Sequence, residues 1–70
     1  MYVIKDKAKN KYVKTNAKNY PVECNKHIAY KYKTLAGAKM RKDFLNSKCD
    51  IYGYPANNFT VVDYDTDNEM

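Results

Sequence analysis

The sequence predicts an α+β fold: a small antiparallel sheet of three or four strands with one helix packed on a face. Three observations carry that expectation. Short stretches at residues 2–5, 11–15 and 59–64 are rich in β-branched and aromatic residues, and residues 28–33 alternate with a period of two. Residues 35–47 instead bring apolar side chains onto one arc at helical spacing. Seventy residues leave room for one core only. The expected order is β-β-(β)-α-β, with residues 1–64 as a single domain and residues 65–70 as an acidic C-terminal tail.

The elements follow in order. YVIK at residues 2–5 and KYVKT at residues 11–15 read as a hairpin around a polar turn that lacks glycine. Residues 16–27 show no period and carry Asn16, Asn19, Pro21 and Asn25, which favour turns and loops; Pro21 biases Tyr20 toward extended geometry. A third strand is expected at residues 28–33, with Ile28, Tyr30 and Tyr32 on one side and Ala29, Lys31 and Lys33 on the other. Thr34 is suited to cap a helix, because its hydroxyl can accept from a free N–H of the first turn. In that helix Ala36, Gly37, Met40, Phe44 and Leu45 share the apolar arc, and Lys39, Lys42, Asp43 and Asn46 fall opposite. Arg41 lies within the apolar arc and has to snorkel out or meet an acid. The small Ala36 and Gly37 would let the helix start lie close to the sheet. Residues 50–58 read as a loop, residues 59–64 as the last strand, and residues 65–70 as a fraying end. The expected core is Val3, Val13, Ile28, Ala36, Met40, Phe44, Leu45, Phe59 and Val61.

Charge is the strongest global signal. All 13 basic residues lie between Lys5 and Lys48, where only Asp6, Glu23 and Asp43 oppose them. From Cys49 onward there are five acids and no base. A basic front of this kind favours polyanions or acidic proteins as partners, and the acidic tail could fold back on it. No apolar run follows the start, so no signal peptide or membrane span is expected; the expected location is the cytoplasm of a bacterial cell, with reduced thiols.

The residues that could carry chemistry do not assemble an enzyme on paper. Cys24 and His27 form a Cys-x-x-His pair, but Cys49 and Asp50 complete it poorly for zinc, and Lys26 would oppose a cation. No base and orienting group accompany either cysteine. The two glycines, Gly37 and Gly53, make no phosphate loop. The expectation is therefore a non-enzymatic chain without metal or cofactor. A pairing of Cys24 with Cys49 stays open, since spacing alone does not decide it.

Binding is the better-supported class. Lys31, Lys33, Lys39, Arg41 and Lys42 are the candidate basic patch, suited to phosphates or acidic side chains. Lysine-dominated patches contact phosphate without reading bases, so a nucleic acid bound there would be read weakly. Eight tyrosines exceed what so small a core readily buries, and Tyr52 and Tyr54, beside Gly53, are the candidate exposed anchors. An exposed strand edge could support a homodimer, and the chain is expected to be a monomer or homodimer.

Three stretches together carry a resemblance. MYVIKDKAKNKYVK, with YKTLAGAKMRKDFL and FTVVDYD, resembles small, mostly uncharacterised proteins of phages and prophages of low-GC bacteria. The abundance of Lys, Asn and Tyr, which have AT-rich codons, agrees with such a source. The start of the helix is also similar to arm-type DNA-binding domains of phage integrases, although here a strand follows the helix. The phage resemblance implies a stoichiometric binding protein that inhibits or modulates a host macromolecule, such as a defence or nucleic-acid-processing complex. The alternative is a nucleic-acid-binding protein using its basic front for largely non-specific phosphate contacts. Neither resemblance supplies functional residues.

Overall fold

A computed structural model describes residues 1–15 and 20–70. Four antiparallel strands lie in the order β3-β2-β1-β4: β1 Tyr2–Asp6, β2 Lys11–Thr15, β3 Pro21–Cys24 and β4 Phe59–Asp63. Between β3 and β4 come a helix, α1 (Leu35–Asn46), and a single helical turn, α2 (Cys49–Tyr52). The small α+β fold read from the sequence is thus the fold of the chain.

The hairpin forms without glycine because Asn10 takes the left-handed conformation, at φ 54°. Asn58 then ties the hairpin turn to the start of β4. Its side-chain oxygen accepts from the Ala8 N–H at 2.9 Å, and its amide donates to buried Asp6 at 2.7 Å.

The third strand is not where alternation suggested. It is Pro21–Cys24, on the open edge of the sheet, where a leading proline costs no ladder bond. The flanking residues 16–19 of the expected loop lie outside the described residues. Residues 25–29 close a turn instead, with Ala29 N–H donating to Asn25 O at 3.1 Å. That turn buries Ala29 and leaves Ile28 exposed, the reverse of the expected sides. Of residues 28–33 only Tyr32 pairs, through mutual backbone bonds with Tyr2 of 2.9 and 2.8 Å. The reason is space: β2 pairs with Ile4–Asp6 and leaves little of that side of β1 free.

The sheet separates two apolar clusters. On one face Ile4, Val13, Phe59 and Val61 pack with Ala38, Leu45 and Cys49. On the other, Val3 and Val62 pack with Ala29, flanked by Tyr12, Cys24 and Tyr64. Cys24 and Cys49 are free thiols associated with opposite faces.

Helix α1 begins as expected: Thr34 is extended, and its hydroxyl accepts from Gly37 N–H at 3.1 Å. Its rotation differs from the expectation. Ala38 and Leu45 are fully buried, whereas Ala36 and Phe44 are exposed and Met40 is 75 % exposed. Asn46, expected toward solvent, reaches β4: its amide donates to Phe59 O at 3.0 Å and its oxygen accepts from Phe59 N–H at 2.9 Å. The side chain thereby acts as a short piece of strand on the outer rim of β4. The helix turns to make those two bonds, and Met40 and Phe44 turn outward with it.

The expected loop at residues 50–58 starts with α2, which stops at Gly53 in the left-handed conformation, φ 82°. Residues 65–70 do not hang free. Asp63 accepts from the N–H groups of Asp65 and Thr66, and the chain returns along β4 with Asp63 N–H donating to Asn68 O and Met70 N–H to Val61 O. Asn46 and the tail together cover the edge that β4 would otherwise present.

Two substitution results are expected in urea unfolding. Asn46→Leu orphans both backbone groups of Phe59 and lowers stability by about 2–3 kcal/mol. Leu45→Ala costs about 2–5 kcal/mol, while Met40→Ala stays within about 0.5 kcal/mol; equal costs would contradict this helix rotation.

Candidate interaction surface

The outward rotation of α1 leaves an apolar groove on the surface. Tyr32, Gly37, Met40, Arg41 and Phe44 line an open depression of about 440 Å³. Gly37 among them lies tight against the helix cap: a Cβ there would lie 3.1 Å from the Thr34 hydroxyl. Tyr32 is half-buried against the core below, and its ring meets that of Tyr30, centroids 4.7 Å apart. Burial raises the Tyr32 phenol's pKa, and the nearby Arg41 guanidinium pulls the other way. Two cations approach the Phe44 ring, with Arg41 Cζ at 5.2 Å and Lys48 Nζ at 5.4 Å from its centroid.

The candidate residues fall in different places. Arg41 lines the groove, and Lys39, next to Met40, is exposed. Residues 39 and 41 are two apart, so they point to opposite sides of α1. Lys33 is exposed just before the Thr34 cap. Lys42 is half-buried and pairs with Asp43 at 2.9 Å. Lys31 is turned away: its ammonium donates to His27 O at 2.7 Å and to Ala29 O at 3.3 Å, and lies 5.0 Å from the Tyr64 ring centroid. These five cations do not make one continuous patch.

Tyr52 and Tyr54 are half-buried and pack on the helix-side cluster. Tyr54 meets Phe59 edge-on, centroids 5.1 Å apart, and donates to Glu23 at 3.2 Å. Burial, then the charge of Asp6 and the bond to Glu23, push its phenol up to about 12. Tyr52 packs against Tyr20, centroids 5.3 Å apart. Both rings close the end of the core.

The far face of the sheet shows how the charge segregation is used. Tyr12 donates to Asp67 at 2.7 Å, and Lys26 pairs with the same carboxylate at 3.6 Å. Lys26 and Lys31 also approach the Tyr64 ring, at 5.2 and 5.0 Å. The tail therefore folds back on the basic front. A second open depression, of about 460 Å³, lies by β3 between Lys11, Lys14, Val22, Glu23 and Ile28; Glu23 is paired with Lys9 at 3.0 Å.

Cys24 and His27 lie near one another in sequence, but Cys49 sits in the other cluster, so the three cannot converge on one ion. Among the described residues, no three or more His, Cys, Asp or Glu side chains are grouped to hold a metal, and no helix is long and apolar enough to cross a membrane. The groove residues Tyr32, Gly37, Met40 and Phe44 were absent from the candidates the sequence offered. Met40 and Phe44 carried a signal, as large apolar residues on a helix, but it read as core.

No family model, curated protein or solved structure matches the chain.

The tail bond has a pH signature. The Tyr12 hydrogen bond, with help from Lys26 and Lys5, holds the Asp67 carboxyl below the usual range. A depressed folded value gives stability that is present above the ordinary carboxylate value and lost as pH falls through the folded one. Carboxyl titration by NMR should show Asp67 protonating below about 3.9, with loss of tail amide protection in the same window. In Tyr12→Phe the Asp67 value should move back up. An unchanged value would contradict the contact.

Proposed function

We propose that this protein is a non-enzymatic, phage-type binding protein that inhibits or modulates a host macromolecule by stoichiometric binding in the bacterial cytoplasm. The observation that carries this reading is the exposed apolar groove on α1, with Met40 at 75 % exposure at its centre. Exposed apolar surface in a concave setting gains stability when a partner displaces its water. Methionine suits such a surface because its flexible thioether adapts to the shape placed on it. A defence or nucleic-acid-processing complex is the class of host target that the phage resemblance favours.

The alternative, phosphate contacts through the basic front, draws less support. Lys9, Lys26 and Lys42 are already paired with carboxylates, and Lys31 with backbone carbonyls. Phosphate neutralisation also has no use for an apolar centre.

Affinity capture from a low-GC bacterial lysate, followed by reconstitution with the purified partner, tests the reading. The wild type should form a complex of fixed stoichiometry. Met40→Asp should weaken it by about thirtyfold or more, with its melting curve nearly unchanged because the position is exposed. Equal binding by that variant would sink the assignment of the surface. Tight binding of labelled DNA or RNA at low salt, with a steep salt slope, would favour the alternative.

A further inference from the structure

We infer that the groove receives an acidic amphipathic segment of a partner protein, one large apolar side chain seated on Gly37 and Met40 and carboxylates meeting the cations at its rim. This inference rests on the binding function proposed above and names the chemistry of the occupant.

The lining residues determine both halves of that chemistry. Gly37, Met40 and the rings of Tyr32 and Phe44 offer an apolar floor and walls, which suit an aliphatic or aromatic anchor. None of the five lining residues is acidic, and one is Arg41. Lys48 adds a second cation over Phe44, and Lys33, which follows the groove residue Tyr32 in sequence, is exposed. The one carboxylate of residues 30–48, Asp43, is already held by Lys42. The rim is therefore positive around an apolar centre.

That pattern discriminates between occupants. A second copy packing two-fold on this face would set Arg41 and Lys48 against their own equivalents, and like charges across an interface are unfavourable. The chain's own acids at Asp63, Asp67 and Glu69 are engaged, by backbone N–H groups, Tyr12 and Thr60 respectively. A nucleic acid would satisfy the cations but leave Met40 without an apolar partner. A segment with an apolar stripe between acidic flanks satisfies both, in the manner of a helix laid in a groove.

The test uses three synthetic helical peptides that share one apolar stripe, Leu and Phe at helical spacing, and differ only in flanks of Glu, Gln or Lys. Each is titrated into the full-length, isotope-labelled protein and followed by NMR. The Glu peptide should shift the amides of Gly37, Met40, Arg41 and Phe44 and bind about tenfold more tightly than the Gln peptide, with the advantage shrinking as salt rises. The Lys peptide should be weakest. In the double variant Arg41→Glu, Lys48→Glu, the order of the Glu and Lys peptides should reverse. Equal binding of all three at these residues overturns the acidic partner and leaves a binding groove standing. Shifts from none of them overturn the inference. Shifts at the same residues from a single-stranded oligonucleotide alone overturn it together with the protein-binding function. Concentration-dependent dimerisation that Met40→Asp abolishes assigns the groove to a second copy and also overturns it.

Discussion

The side-chain amide of Asn46 sets the rotation of the helix, and most of what the surface can do follows from that setting. It gives and takes a hydrogen bond with the backbone of Phe59, at 3.0 and 2.9 Å. Turning α1 half-way round would seat Met40 and Phe44 on the sheet, but it would also carry Asn46 away and leave a peptide N–H and C=O without partners. Each such loss costs about 1–3 kcal/mol when the group is buried. The sheet also accepts Ala38 at a point where no accessible surface remains, so a larger side chain there would force the layers apart. Hydrogen bonding and close packing therefore agree on one rotation, and that rotation spends two large apolar side chains on solvent.

A chain this small gains from every ring and charge it can fold inward. Most of its tyrosines do structural work at the margins of two thin clusters: Tyr2, Tyr32, Tyr52 and Tyr54 on the helix side, and Tyr12 and Tyr64 on the other. Their hydroxyls find carboxylates where they can, Tyr12 with Asp67 and Tyr54 with Glu23. The acidic end is part of the same economy, since it closes the rim of β4 and neutralises a share of the basic front. Against that background Met40 is the most exposed large apolar side chain among the described residues, at 75 %.

The sequence made the local chemistry legible and left the long-range choices hidden. Thr34 showed itself as a cap because its bond to Gly37 is three residues away, and the strands at residues 2–5, 11–15 and 59–64 were visible in composition. The third strand was not, because alternation at residues 28–33 is a pattern without a vacancy in the sheet: β2 already occupies most of that side of β1. The helix rotation was hidden for a related reason. Counting apolar residues around α1 favours Met40 and Phe44 for the core, and only the fold reveals that Asn46 has a strand to bond. Tyr52 and Tyr54 looked exposed beside a glycine, yet a one-turn helix draws both against Phe59 and its neighbours. The groove was illegible as a consequence, since Met40 and Phe44 read as interior residues.

The outward-facing Met40–Phe44 surface thus links a carboxamide on one side of the helix to an interaction site on the other. The most direct check on that link is methyl NMR in the presence of a soluble paramagnetic relaxation agent. The Met40 methyl should broaden strongly and the Leu45 methyls should stay sharp. Sharp Met40 and broadened Leu45 signals would mean that the helix presents its other face, and the groove would not exist.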